Sequence, residues 1–310
     1  MKQAAPLLAV VLVTYNVRVL ALDALRSLYA DLELSSLAAD VYVVDSGSTD
    51  ATAAAIAAGF PQVRLTRAEN LGFGRANNLA IRQMISEPHP PDAIYLLNPD
   101  TITQPGATKT LYEALQADPR IGLVGAGLRY GDGSFQHSAF AFPGLRQLWV
   151  ELFPTPGRLI EAEFNGRYPR ELYQRGKPFP VDFVLGATMM LRREVIEKTG
   201  GFDEQFFMYC EEIDWARRIH DAGYGVYCVP AAQVIHLAGQ STVQERPRSL
   251  INLWTSRLRL LDKYAPAWKR LLARGMIALG IALKARAADD PALREACQTV
   301  CKRALGHRKA

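Results

Sequence analysis

Four short blocks carry the residue types that can do chemistry, and they come in one order: Asp45-Ser-Gly-Ser-Thr-Asp50, Asn98-Pro-Asp100, Glu211-Glu-Ile-Asp214 and His236-Leu-Ala-Gly-Gln-Ser241. Asp45 ends the aliphatic run Val41 to Val44. A carboxylate there can accept a hydrogen bond from the N3–H of uracil or thymine. Asp100 follows a second such run and can offer oxygen to Mg2+ or Mn2+, which bridge diphosphates. Glu211 and Glu212 are adjacent carboxylates that repel each other. If they are partly buried, one gains a raised pKa suited to proton transfer. His236 can supply a second protein ligand to a metal. Each block alone also has a plainer reading: a capping Asp after a proline turn, a solvated first helical turn, a structural His. Asp50 reads better as a helix-dipole partner, and Asp214 with Arg218 as an i,i+4 pair.

Two further stretches belong beside these. Thr14-Tyr15-Asn16 follows the first aliphatic run, where backbone can approach a nucleotide; an ordinary strand-to-helix turn fits it as well. Asn70-Leu-Gly-Phe-Gly-Arg-Ala-Asn77 places Gly72 and Gly74 ahead of a helix whose amides favour phosphate. Arg75 adds a cation, and Asn77 and Asn98 join the nucleotide-binding candidates. The block is not the dinucleotide fingerprint, because G-x-G-x-x-G is incomplete.

The elements that must position these residues alternate. Leu7 to Val13 reads as a strand buried on both faces, Val19 to Tyr29 as a helix, and Val41 to Val44 as a second strand. Ser48 or Thr49 is placed to cap a helix over 51–58. Val63 to Leu65 reads as a short strand, Gly72 to Gln83 as a helix and Ala93 to Leu97 as a fourth strand. This βαβα order predicts an α/β fold with a mostly parallel central sheet flanked by helices, which binds ligands at the carboxyl ends of its strands. Residues 131–180 are rich in Gly, Pro and aromatics and read as an irregular, ordered insertion with short helices. Order resumes over Val181 to Leu191, with a helix at 212–221 and a strand at Val226 to Val229. Beyond Arg246 the pattern is helical and basic.

Bulk properties narrow the classes. A chain of 310 residues with 49% hydrophobic and 22% charged residues is an ordinary globular composition. The four cysteines show no CxxC spacing, which fits a reduced compartment and argues against a zinc site. From Arg246 onward there are 15 Lys+Arg against 4 Asp+Glu, so a basic tail follows a mildly acidic body. Over 247–286 it alternates Leu, Ile and Trp with Arg and Lys. Such a helix can lie on an anionic membrane face; a helical pair packed on the domain is the plainer alternative. No run reaches the length of a membrane span. The acidic body and the lack of a basic-aromatic platform argue against nucleic acid.

Taken together the motifs resemble glycosyltransferase family 2, with its GT-A fold, and within it bacterial rhamnosyltransferase-like members that build cell-surface polysaccharides. The resemblance runs from about Leu8 to Ser241. It rests on Val-Thr-Tyr-Asn16, Val-Val-Asp-Ser-Gly-Ser-Thr-Asp50, Glu-Asn-Leu-Gly-Phe-Gly-Arg-Ala-Asn-Asn78 and Leu-Leu-Asn-Pro-Asp100. Further along come Leu-Gly-Ala-Thr-Met-Met-Leu-Arg-Arg193, Gly-Gly-Phe-Asp-Glu-Gln-Phe-Phe-Met-Tyr209 and His236 with Gly239 and Ser241.

The resemblance implies a GT-A domain over 1–245, with 1–130 as its nucleotide-binding half and 131–245 as its acceptor side, followed by a basic helical extension over 246–310. It implies a nucleotide-diphosphate sugar donor, Mg2+ or Mn2+, inversion at the anomeric carbon, and a saccharide or lipid-linked acceptor. A cytoplasmic setting follows, on the membrane face if the tail binds lipid. Asp45 would bind the pyrimidine and Arg75 the nucleotide. Asp100 would be the metal-binding acid and His236 the further ligand, with Asn98 where many members carry a first Asp. Gly186-Ala187 and the stretch before Glu211 would frame the acceptor. Glu212 falls at the base position, where such members usually have Asp after Glu, and Glu211 is its neighbouring alternative. The donor leans to dTDP-rhamnose, with UDP-hexoses open. A nucleotidyltransferase would need a Gly-rich activation loop after the first strand, where Thr14-Tyr15-Asn16 stands instead. The Asn98 and Glu212 departures leave room for a catalytically impaired sugar-nucleotide-binding protein.

Overall fold

The computed structural model describes residues 8–237 and 246–306. The nucleotide-side elements are β1 (Leu8–Thr14), α1 (Arg18–Ser35), β2 (Ala39–Asp45), α2 (Thr52–Gly59), β3 (Arg64–Arg67), α3 (Phe73–Ile85), β4 (Ala93–Leu97), β5 (Thr101–Thr103), α4 (Ala107–Gln116) and β6 (Ile121–Arg129). After them come β7 (Phe135–Gln136), β8 (Ala139–Phe140), α5 (Leu145–Leu152), α6 (Gly157–Ile160), α7 (Arg170–Gln174), β9 (Phe179–Val181), β10 (Phe183–Val184), β11 (Thr188–Arg192) and α8 (Arg193–Thr199). The chain continues through α9 (Glu211–Asp221), β12 (Gly225–His236), α10 (Arg246–Tyr264), α11 (Ala267–Ala287) and α12 (Pro291–Ala304).

The central sheet runs β3-β2-β1-β4-β11-β6-β12-β5. Every strand on that path except β11 and β5 points the same way. Successive side chains of a strand face opposite sides, so β1 feeds two cores. Leu8, Val10 and Leu12 pack with Leu25 and Leu28 of α1 and Leu111 of α4. Ala9 and Val11 pack with Ile81 and Met84 of α3 and Trp215 and Ile219 of α9. This two-sided burial is why the strands read as unbroken aliphatic runs. The register sets Thr14 beside Asp45, which brings the carboxyl ends of β1 and β2 level.

Several details differ from the sequence expectations. β6 is a long buried strand that its glycines disguise. A Cβ on Gly125 would sit 2.7 Å from the Val184 side chain, and one on Gly127 would sit 2.9 Å from the Pro230 carbonyl oxygen. They are strand residues where a neighbour approaches too closely for a side chain. Neither Ser48 nor Thr49 caps α2. The N-cap is Ala51, whose methyl side chain cannot cap; Asp50, just before it, accepts the Thr52 amide on Oδ1 at 3.1 Å, while Ser48 Oγ accepts the Asn16 amide at 2.9 Å. The Gly/Pro-rich stretch 131–180 holds the expected short helices and, beyond that expectation, the short strands β7 and β8.

The basic C-terminal helices are docked. Trp254 and Leu258 of α10, Ile277 and Ile281 of α11, and Val300 of α12 share a third core with Leu148 and Leu152 of α5. Trp254 is 1% exposed, and burying a side chain of that size contributes about 3 kcal/mol. Gly280 lets α11 approach α5, since a Cβ there would lie 2.7 Å from Leu152 Cβ.

Candidate active site

The carboxyl ends of β1, β2 and β4, the end of β12 and the start of α9 surround a cavity of about 360 Å3. Thr14, Tyr15, Asn16, Gly72, Asn98, Asp100, Glu211, Glu212 and His236 all line it. Residues as far apart in sequence as Thr14 and His236 are therefore brought to one place. Gly186 and Ala187, at the turn before β11, form another part of the wall.

Asn98 and Asp100 are fixed by their backbone rather than by their side chains. The Asn98 amide donates to the Ala187 carbonyl at 3.0 Å, and the Leu237 amide donates to the Asp100 carbonyl at 2.9 Å. Asn98 Oδ1 and Asp100 Oδ1 are buried with no hydrogen-bond partner. Unpartnered buried oxygens are uncommon and point to a missing ligand. Pairing of β12 with β5 sets His236 opposite Thr101 and holds its Nε2 3.5 Å from Asp100 Oδ1. The other ring nitrogen, Nδ1, lies 3.2 Å from the Gln136 side-chain nitrogen on β7, so the Gln136 amide orients the ring. Among the described residues no three His, Cys, Asp or Glu side chains cluster as a metal cage. One carboxylate, one imidazole and an orphaned amide oxygen still suit a hard cation that takes its remaining ligands from a diphosphate and water.

The acidic pair sits on strained backbone. Tyr209 and Cys210 both adopt left-handed conformations, with φ of 69° and 67°, immediately before α9. Such residues persist only where their surroundings hold them, and they concentrate at functional sites. Here the hold comes from α3. The Phe73 amide donates to the Phe207 carbonyl at 2.9 Å, and Gly72, at φ +78°, leaves room for it. Asn78 grips the preceding segment, accepting the Phe202 amide at 2.9 Å and donating to the Phe202 carbonyl at 2.8 Å. From α10, the Ser256 hydroxyl donates to the Met208 carbonyl at 2.7 Å.

Glu211 is 5% exposed with Oε2 unpartnered, and Glu212 is half-buried against Gly186. Burial raises the pKa of both carboxyls, and for Glu211 the neighbouring Glu212 charge pushes the same way. A further carboxylate nearby is committed to structure. Asp214 pairs with Arg218 at 2.8 Å, the predicted i,i+4 bridge, and also with Lys263 of α10 at 2.6 Å.

Three candidate residues do not line the cavity. Asp45 is buried one position short of it, and Ser46 takes the lining place. Its Oδ1 accepts from the Thr14 hydroxyl at 3.0 Å and its Oδ2 from the Ser48 amide at 3.1 Å, tying the loop after β2 onto β1. Arg75 points outward along α3, where its Nε donates to the Glu204 carbonyl at 3.2 Å. Asn77 turns inward and donates to the Phe73 carbonyl one helical turn back. Gly239 and Ser241 lie outside the described residues. Conversely, Arg248, Ser249 and Asn252 of α10 line the cavity, as do Phe207 and Met208. A basic, amphipathic helix gives no sign in sequence that it closes a pocket more than a hundred residues upstream.

One cavity at the strand ends thus holds a carboxylate–imidazole pair and two carboxyls whose pKa values burial raises. Comparison with known proteins adds to this. The family model described as glycosyl transferase family 2 matches residues 9–200. An N-acetylglucosaminyl-diphospho-decaprenol L-rhamnosyltransferase of Mycobacterium tuberculosis is 32% identical over 252 residues, covering 77% of this chain and 81% of that protein. The rhamnosyltransferase WbbL of Escherichia coli is 28% identical over 173 residues, covering 54% of this chain and 61% of its own. A mannosyltransferase from Pyrobaculum calidifontis, solved with GDP-Man and Mn2+, superposes with a TM-score of 0.57 at 19% identity, covering 99% of this chain and 89% of that one. The chain belongs to glycosyl transferase family 2. It is a glycosyltransferase with the GT-A fold, and its relatives are rhamnosyltransferase-like.

Proposed function

We propose that the protein is an inverting, metal-dependent glycosyltransferase that moves rhamnose from a nucleoside-diphosphate donor to a hydroxyl of a lipid-linked saccharide during cell-surface polysaccharide synthesis. The observation that carries this reading is that Asp100, His236, Glu211 and Glu212 line one cavity. The sugar and the acceptor type follow the Mycobacterium tuberculosis relative, whose name specifies both.

Asp100 and His236 would hold Mg2+ or Mn2+, with Asn98 Oδ1 beside them. When bound, the cation neutralises the departing diphosphate. The chain's own residues do the rest. Thr14, Tyr15 and Asn16 would position the nucleotide by their backbone, with Asp45 behind them bracing Thr14 and the loop after β2. Glu212 would take the proton of the acceptor hydroxyl as its oxygen bonds to the anomeric carbon. The bond from that carbon to the diphosphate oxygen breaks in the same displacement, and its electron pair leaves with the nucleotide.

A donor screen by thermal shift with Mn2+, followed by turnover with the donor that binds, tests the reading. NMR of the product should show the opposite anomeric configuration from the donor. Retention of configuration, or unchanged turnover in Glu212→Gln, would refute it.

Peripheral membrane contact belongs to the same proposal, in a revised place. The apolar face of α10 is spent on the third core, whereas α11 exposes Trp268 at 62%, Leu271 at 76% and Leu279 at 57%. With Leu272 and Leu283 these form one stripe with Lys269 at its edge, a pattern suited to an anionic bilayer surface. No helix among the described residues is long and apolar enough to cross a membrane.

A further inference from the structure

A second cavity, of about 810 Å3, opens between α5, α9 and α10. Its size suits a large small-molecule ligand. Its walls combine two chemistries. Phe140, Phe142, Phe183, Leu260 and Leu261 supply apolar surface. Arg146, Arg167, Arg217, Arg257 and Lys269 supply cations, against Glu151 as the lone lining carboxylate.

The cations are not all neutralised. Glu151 is taken by Arg257. Arg217 is held between the Phe142 ring at 4.6 Å and the Tyr264 ring at 4.8 Å. No carboxylate pairs with it among the described residues. Arg167 has a looser pairing, 3.6 Å to Glu161, and its Nε is buried without an acceptor. Stacked guanidinium groups with free N–H edges suit phosphate oxygens. The aromatic and leucine walls have no use for a fully hydrated anion.

The two cavities share a wall. Glu211 and Glu212 line the first, while Cys210 and Ile213, their immediate neighbours in the same turn, line the second. Arg257 is close enough to lower the Glu212 pKa against the rise that burial imposes. At its other end the second cavity is lined by Ala265, Pro266 and Lys269, and the exposed stripe of α11 begins at Trp268.

We infer that the second cavity binds the diphosphate and adjoining hydrocarbon of the lipid-linked acceptor, with Arg217 and Arg167 on the phosphates. The inference rests on the acceptor class proposed above and assigns it to a defined place. The acceptor saccharide then lies across the first turn of α9, with its hydroxyl at Glu212, and the lipid tail leaves beside Trp268 toward the bilayer.

Calorimetry on the full chain with geranyl diphosphate, a short amphiphilic diphosphate, tests this. Geranyl diphosphate should bind, Arg217→Gln should weaken it by about tenfold, and Arg217→Lys by less. Lys269→Gln, at the rim, provides a second variant with little risk to folding. A nucleoside diphosphate with Mn2+ should bind Arg217→Gln as it binds the wild type and should not displace geranyl diphosphate. No binding, binding indifferent to both substitutions, or displacement by the nucleotide would overturn the assignment. So would inorganic diphosphate binding as tightly as geranyl diphosphate, because the apolar walls would then contribute nothing. Nucleotide binding reads the donor site independently: its loss in the wild type refutes the proposed function, and its presence without geranyl diphosphate binding refutes only the second cavity.

Discussion

Lys263 Nζ lies 2.6 Å from Asp214 Oδ1, joining two helices whose partners are 49 positions apart in the chain. Asp214 is fully buried on α9, and the Tyr264 hydroxyl donates to the same oxygen at 2.7 Å while Arg218 holds the other. The helix that presents the acidic pair is thereby pinned by the C-terminal helices.

Removing the Asp214 carboxylate leaves Arg218 partly buried without its paired carboxylate, while Lys263 keeps Asp203 at 2.8 Å. Asp214→Ala should lower stability by about 2 kcal/mol, below the range for fully buried pairs because Lys263 retains some solvent and its Asp203 partner. Chemical denaturation measures this. A change within experimental error would mean that the pin is not energetic.

The raised carboxyl pKa values of the acidic pair have two consequences of opposite use. A base works deprotonated, so the acid limb of kcat/KM should fall above the ordinary glutamate value, and rate should drop as pH falls through it. For stability the sign reverses. A carboxyl whose folded pKa is raised contributes stability that is full below its unfolded value and lost as pH rises through the folded one. Glu211→Gln should therefore raise the melting temperature relative to wild type at about pH 8 and make little difference near pH 4. Equal shifts at both pH values would contradict the assignment.

Asp100→Ala should remove Mn2+-dependent nucleotide binding in calorimetry. Gln136→Leu should weaken Mn2+ affinity by about tenfold without touching the ligands, because the ring of His236 loses its orienting partner. Unaltered Mn2+ affinity in Gln136→Leu would show that packing alone fixes the imidazole.

Gly72→Ala introduces a Cβ 2.2 Å from the Phe207 carbonyl oxygen at a backbone φ of +78°. The loop before α9 must move. We expect a loss of about 2 kcal/mol and a fall in turnover larger than stability explains. A fully active Gly72→Ala would mean that the loop position is not critical.

Replacing Trp268, Leu271 and Leu279 together by Ser should reduce partition onto anionic vesicles by about tenfold or more while leaving the fold intact, since all three are exposed. Flotation of the two proteins side by side decides it. Equal flotation rejects the membrane surface.

Much of the nucleotide-side architecture was legible because it obeys local rules. Uninterrupted aliphatic runs could only be doubly buried strands, and acids at their ends fell at the sheet's carboxyl edge. What was hidden depended on distant contacts. β6 was masked by Gly125 and Gly127, whose purpose appears only when Val184 and Pro230 are seen against them. Arg75 and Asn77 follow Gly72, which does line the site, yet helical rotation carries one outward to Glu204 and turns the other back on its own helix. Arg248, Ser249 and Asn252 sit on a helix whose composition suggests a surface role, and only docking through Trp254 brings them to the cavity.

The docking of α10 also orders events in time. During synthesis the whole central sheet is available once His236 has emerged, but the cavity still lacks the wall that α10 provides and Asp214 still lacks two of its three partners. A chain ending before α10 would hold the framework of the fold without a finished site.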